Sequence, residues 1–218
     1  MGLWTDQVLP RLTDRVLGTA EMRRAREQTC AGLAGDVLEL GFGSGLNVPH
    51  YPRAVTGIWA VDPSQVGRRL AEERVGRSAV PVEYAGSTAE SLPFPDGRFD
   101  SALSTFTLCT IPDVGRALAE LSRVLAPGGS FHFLEHGHSP DAAVARWQRR
   151  FTPVHRRVAG GCHLTRDIAA LLGEAGLEVV TLSTYYGEGP RPFGYRYQGV
   201  ARRPAQGNHR GGGRVPPS

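Results

Sequence analysis

The clearest chemical spacing in the chain is Glu39-x-Gly41-x-Gly43-x-Gly45, inside the run DVLELGFGSGLN at 36–47. Three glycines in five residues, straight after an apolar run, let a ligand come close to the backbone, because glycine adopts conformations closed to other residues. Phe42 and Ser44 fill the intervening places. A phosphate-cradling P-loop ends in Gly-Lys-Ser/Thr. That reading fails, because all 25 basic residues are arginine. A dinucleotide loop prefers G-x-G-x-x-G, with the pyrophosphate at a helix N-terminus. Here the third glycine comes one residue early, and Glu39 would repel a pyrophosphate. An acid at that place suits a ligand that carries a cationic portion.

Elements that position this loop follow from hydrophobic periodicity. Apolar β-type runs at 36–42, 57–63, 80–86, 99–108 and 130–137 alternate with helical patterns. Ser64 is the expected N-cap of the helix after the second strand. Another helix starts near Asp113 and is expected to stop at Pro127, Gly128 and Gly129. A late helix is expected over 165–177, with Gly176 near its C-cap, and two final strands close the chain as an antiparallel pair. The expected fold is therefore α/β: a Rossmann-like, doubly wound, seven-stranded, mostly parallel sheet with a C-terminal antiparallel hairpin. Residues 1–35 read as a helical lead-in that either covers the site or packs on the sheet. Residues 36–202 read as the main domain, with a helical insert at 141–164. Residues 203–218, rich in Gly and Pro, read as a disordered tail.

The run ELGFGSG resembles the first motif of class I S-adenosylmethionine-dependent methyltransferases. Their cofactor carries a sulfonium, an amino group and a carboxylate, and no phosphate. Asp62 and Pro63, in AVDPS, stand where the resemblance implies a carboxylate on the ribose hydroxyls. AESLPFPDGRFD resembles the methyltransferase type 11 group, which includes the ubiquinone and menaquinone C-methyltransferases. Thr88, Ala89 and Glu90 are then the adenine-side candidates; many relatives have Asp where Thr88 stands. Thr105 and Phe106 would bound the cofactor, and Glu39 would orient the loop or meet the methionine amino group. Beyond that core, TFTLCTIPD, FHFLEHG and GGCHLTRD, with Trp147 upstream, resemble the methyltransferase-like thiol methyltransferases and their bacterial relatives. The animal members methylate small alkyl thiols and carry an N-terminal membrane anchor, for which this sequence offers no apolar run of the needed length.

Catalytic candidates lie at the ends of the fourth and fifth strands. His136 is the candidate general base, with Glu135 beside it. Cys109 is either a substrate-side residue or a buried structural cysteine. Thr107, Cys162, His163 and Arg166 are the substrate-side candidates; Arg166 would bind an anionic substrate, cap a lid over the site or tie the insert to the sheet. His132, His136 and His138 share strand parity. With no carboxylate or thiolate pair spaced nearby in sequence, no metal is expected. The resulting expectation is an enzyme that moves a methyl group from S-adenosylmethionine to a small-molecule acceptor, a thiol foremost. The alternatives are a quinone, lipid-headgroup or secondary-metabolite acceptor, or a binding-only protein.

A net charge of +4 comes from scattered arginines, without an aromatic-studded basic stripe, so no nucleic-acid partner is expected. Three distant cysteines form no disulfide framework, which suits a cytoplasmic setting. A monomer or homodimer is expected.

Overall fold

The computed structural model describes residues 4–205, so the expected tail lies outside the described residues beyond 205. Seven strands form one sheet: β1 (Gly35–Leu40), β2 (Val55–Val61), β3 (Val82–Gly86), β4 (Phe99–Thr105), β5 (Leu125–His136), β6 (Glu178–Tyr186) and β7 (Tyr195–Arg202). Their order is β3-β2-β1-β4-β5-β7-β6. β1 pairs in parallel with β2 and β4, as do β2 with β3 and β4 with β5. β7 runs antiparallel to both β5 and β6, which is the expected architecture.

The helices are α1 (Leu9–Val16), α2 (Ala20–Cys30), α3 (Gln65–Gly76), α4 (Val114–Val124), α5 (Ala142–Val158), α6 (Ile168–Glu174) and α7 (Arg191–Gly194). Ser64 caps α3 as expected, its hydroxyl accepting from Gly67 N. Asp113, Asp141 and Asp167 cap α4, α5 and α6 in the same way. α4 ends at Val124, before the expected Pro-Gly-Gly stop, because Leu125 is already extended and pairs with Phe99. The late helix is shorter than expected because Asp167 caps it, leaving Arg166 outside.

Side chains alternate across the sheet with the two-residue strand period. Leu38 and Leu40 enter the core packed by Leu118, Leu121 and Ile168. Val37 enters the opposite core with Cys30, Ile58 and Ala71. The lead-in breaks at Gly18–Thr19 into α1 and α2. α2 is anchored by buried Met22, Ala25 and Arg26, whereas α1 buries no side chain fully and exposes Val8, Leu12 and Val16 at its flank. Strand order reverses between β1 and β4, opening a crevice at their C-terminal ends.

Candidate functional site

The glycine loop leaves β1 with Gly41, Gly43 and Gly45 all in the left-handed region, at φ 73°, 54° and 72°. A Cβ on Gly41 would stand 1.8 Å from Thr107 Oγ1, so the β1 and β4 ends meet only because it is absent. Gly45 instead packs toward Val48 and Ala71. Asp62 locks the loop from β2: its Oδ2 accepts from Gly43 N at 2.7 Å and its Oδ1 from Ser64 N at 2.7 Å. Burial pushes this carboxyl up, against those two bonds. Each oxygen keeps a lone pair for a further donor.

Beneath the loop is a buried polar network. Glu39, 0% exposed, accepts from Asn47 Nδ2 at 2.8 Å and from the Tyr51 hydroxyl. Burial raises its pKa to about 7, opposed by those bonds and by Arg26. Arg26, 3% exposed, donates to Asn47 Oδ1 at 2.8 Å and Thr105 Oγ1 at 2.6 Å. Its Nε is buried without a partner. Burial lowers this guanidinium to about 10.

A cavity of about 610 Å³ opens above this network. Of the residues singled out by sequence, Gly41, Phe42, Gly43, Ser44, Asp62, Pro63, Thr88, Ala89, Glu90, Thr105, Phe106 and Thr107 line it. Glu39 and Gly45 stand behind the wall. A larger cleft, about 770 Å³, lies between α2 and the β6–β7 pair and gathers none of these residues. Sequence reasoning missed Arg26, Ser87, Thr110 and Gly160, all on the cavity wall. Three arginines crowd α2, and no pattern in the sequence separates Arg26 from Arg23 and Arg24. The Thr88 hydroxyl donates to Glu90, which holds that carboxyl below its usual range.

Glu135 and His136 stand at the end of β5, as expected, and neither lines the cavity. Glu135, 0% exposed, organises the loop after β4: its Oε1 accepts from Ser104 Oγ (2.7 Å), Thr107 N (3.0 Å) and Leu108 N (3.0 Å), and its Oε2 from Cys109 N (3.4 Å). Phe106, at φ 56°, is the one non-glycine residue with positive φ among the described residues. It is pinned by Phe106 N to Leu134 O and by packing on Met22, Ala25 and Leu134. His136 packs its ring on Phe106 and sets Nδ1 3.8 Å from Cys162 Sγ, outside the cavity lining. Cys109 is buried beside Cys162. The Cys109 thiol, with His136 and His155, holds the Cys162 thiol well below its usual range and is itself pushed up. Arg166 also stays off the cavity, donating to Leu108 O, Ile111 O and Pro112 O. His163 N donates to Cys109 O at 2.7 Å. The GCHLTR run thus ties the insert to the loop after β4. The three histidines of shared parity do not converge, since His132 Nδ1 donates to Thr29 O. Among the described residues lining the cavity, no histidine or cysteine occurs.

S-adenosylmethionine fits this chemistry. The unpartnered Arg26 Nε offers a donor to a carboxylate, Glu39 offers negative charge near a cationic group, and Asp62 offers free lone pairs to a diol.

Residues 38–133 match the family described as methyltransferase domain. The chain is 33% identical over 137 residues to the rat thiol S-methyltransferase TMT1B, covering 60% of this chain and 55% of that protein. It is 39% identical over 84 residues to the Methylobacterium nodulans ubiquinone/menaquinone biosynthesis C-methyltransferase UbiE, covering 38% and 33%. The chain thus spans about half or less of these curated relatives. A solved S-adenosylmethionine-dependent methyltransferase from Methanosarcina mazei shares the fold, with TM-score 0.61 and 20% identity over 78% of this chain and 93% of that one.

Proposed function

We propose that this chain, which carries a methyltransferase domain of the S-adenosylmethionine-dependent class, methylates a small-molecule thiol. The observation that carries the acceptor is the cavity wall. Its titratable side chains are Arg26, Asp62 and Glu90, the first two already engaged beneath or beside the glycine loop. An oxygen or carbon nucleophile needs a placed base. A thiol, with a pKa of about 8.5, ionises without one.

When bound, the cofactor supplies a methyl group on a sulfonium. Arg26 would hold its carboxylate, Asp62 its ribose hydroxyls, and Thr88 and Ala89 would flank its adenine. Phe106 and Thr107 would wall the reacting end of the cavity and exclude water. That methyl group would pass to the acceptor sulfur, the cofactor ending as a neutral thioether. The thiol proton would go to solvent before transfer. Positioning and a dry site supply the rate. Thr13, Leu17 and Gly160 on the cavity rim give the lead-in and the insert a covering role. The three free cysteines suit a reducing compartment.

A lipophilic acceptor is favoured by a separate observation. Val8, Leu12 and Val16 on the lead-in and Trp147, Val154 and Val158 on α5 are an exposed apolar set, the two segments being tied by Trp4 Nε1 donating to Val158 O at 3.0 Å. Exposed Arg146, Arg149, Arg150, Arg156 and Arg157 accompany it on α5. That composition suits an anionic membrane surface. No helix among the described residues is long and apolar enough to cross a membrane.

The test is S-adenosylhomocysteine formation from purified protein, cofactor and a panel of alkyl thiols, hydrogen sulfide, phenols, quinols and phosphatidylethanolamine vesicles. Turnover with thiols, rising with pH as the thiol ionises, is expected. Cofactor binding without turnover of any thiol overturns the acceptor; turnover with quinols or vesicles alone moves it to the lipid class.

A further inference from the structure

We propose that Cys109, His136 and Cys162 form a binding site for one soft cation of the zinc class, outside the cofactor cavity. Three separate segments supply the donors: the loop after β4, the end of β5, and the loop that follows α5. Their ligand atoms all lie within 4.8 Å of one another. A tetrahedral ion with M–S near 2.3 Å and M–N near 2.1 Å needs an S···N edge of about 3.6 Å. Cys162 Sγ and His136 Nδ1 stand 3.8 Å apart, so the ion requires almost no movement of that edge.

The surroundings select the kind of ion. Both sulfurs are almost fully buried, at 1% and 4% exposed, among Leu164, Ala159 and Phe193. The nearby carboxylate, Glu135, is consumed by the backbone N–H groups of residues 107–109. Two sulfurs and one imidazole, with no free oxygen ligand, favour a thiophilic ion over magnesium or calcium. Two thiolates balance a divalent charge, and three protein donors leave a fourth tetrahedral position for a water.

The loop that carries Cys162 is set by its backbone. Gly160 and Gly161 have φ 61° and 90°, and Cys162 N donates to Ala159 O at 3.1 Å. Cys109 is fixed from the other side by Cys109 O accepting from His163 N. The donors therefore sit in a framework that exists before any ion arrives, as preorganised sites require.

The experiment is a cobalt titration of the full chain, stripped with chelator and reduced with a phosphine. About one cobalt ion per chain is expected, with a near-ultraviolet thiolate-to-cobalt band and the visible bands of a tetrahedral ion, both bleached by zinc. Cys162→Ser, which leaves one thiolate donor, should lower the thiolate band at least twofold, and Cys30→Ser, in a different core, should retain it. Should Cys162→Ser fail to fold, alkylation of wild type read by peptide mass serves instead: zinc should slow labelling of Cys109 and Cys162 at least tenfold and leave Cys30 unchanged. Absence of a thiolate–cobalt band on reduced wild type, an unchanged band in folded Cys162→Ser, or labelling indifferent to zinc would overturn the proposal. So would a Cys109–Cys162 disulfide that forms in the presence of zinc.

Discussion

Gly41 and Gly43 differ in what a methyl group would meet, and that difference separates folding from binding. Alanine at either place adopts a left-handed conformation that costs roughly 1–2 kcal/mol. At Gly41 the new Cβ also enters Thr107, 1.8 Å from Oγ1 and 2.4 Å from Cγ2. Overpacking of this kind adds about 1–3 kcal/mol. Gly41→Ala should therefore lose roughly 2–5 kcal/mol, a fall in Tm of about 4–20 °C for a chain of this size. At Gly43 the nearest atom is Gly41 O at 4.0 Å, so the methyl group enters open space in the cavity. Gly43→Ala should lose only the conformational cost, about 2–8 °C. If the cofactor lies against this loop, Gly43→Ala should still weaken its binding more than about tenfold, or 1.4 kcal/mol. Thermal melts and titration calorimetry with S-adenosylmethionine measure the two quantities on the same protein. Wild-type affinity in Gly43→Ala would refute close backbone approach, and equal melting losses in both variants would refute the Thr107 clash.

Asp62→Ala should cost at least about tenfold in cofactor affinity, since the loop loses the acceptor of Gly43 N and the ligand loses its diol partner; calorimetry reads it. Glu135→Ala should destabilise the fold by at least about 2 kcal/mol, because buried N–H groups lose their acceptor; urea unfolding checks this. Glu39 is raised in the folded state to about 7. Its contribution is thus fully present below about pH 4.5 and lost as pH rises through 7. The wild-type Tm should fall between pH 5 and 8 relative to Glu39→Gln. Removing residues 1–20 should reduce turnover more than cofactor affinity, and equal losses would end the covering role.

Local constraints were the legible part of this chain. A left-handed backbone restricts composition, so the glycine loop announces itself, and Asp62 follows at the end of the next apolar run. The cap at Ser64 and the alternation of β and α patterns were readable for the same reason. Arg26 was hidden because burial of one arginine among three on α2 depends on Asn47 and Thr105, distant in sequence. The meeting of Cys109 with Cys162 was hidden likewise, since the donors are spaced far beyond any local motif. His136 and Glu135 were found at the right strand end. The contacts of Glu135 were not readable, because Thr107, Leu108 and Cys109 turn their N–H groups to one carboxylate, which no spacing records.

β7 is the last described strand in the chain, yet it lies between β5 and β6 in the sheet. During vectorial synthesis β5 therefore leaves the ribosome with one edge open from Ser130 to His136, the seven positions that β7 later covers. That edge bears Glu135, on which the loop after β4 depends. Arg196 on β7 then clamps Glu21 of α2 at 2.7 Å, drawing an early helix against a late strand. Completing this sheet requires β7 to enter between β5 and β6, and until it does an unpaired edge is open to a neighbouring chain.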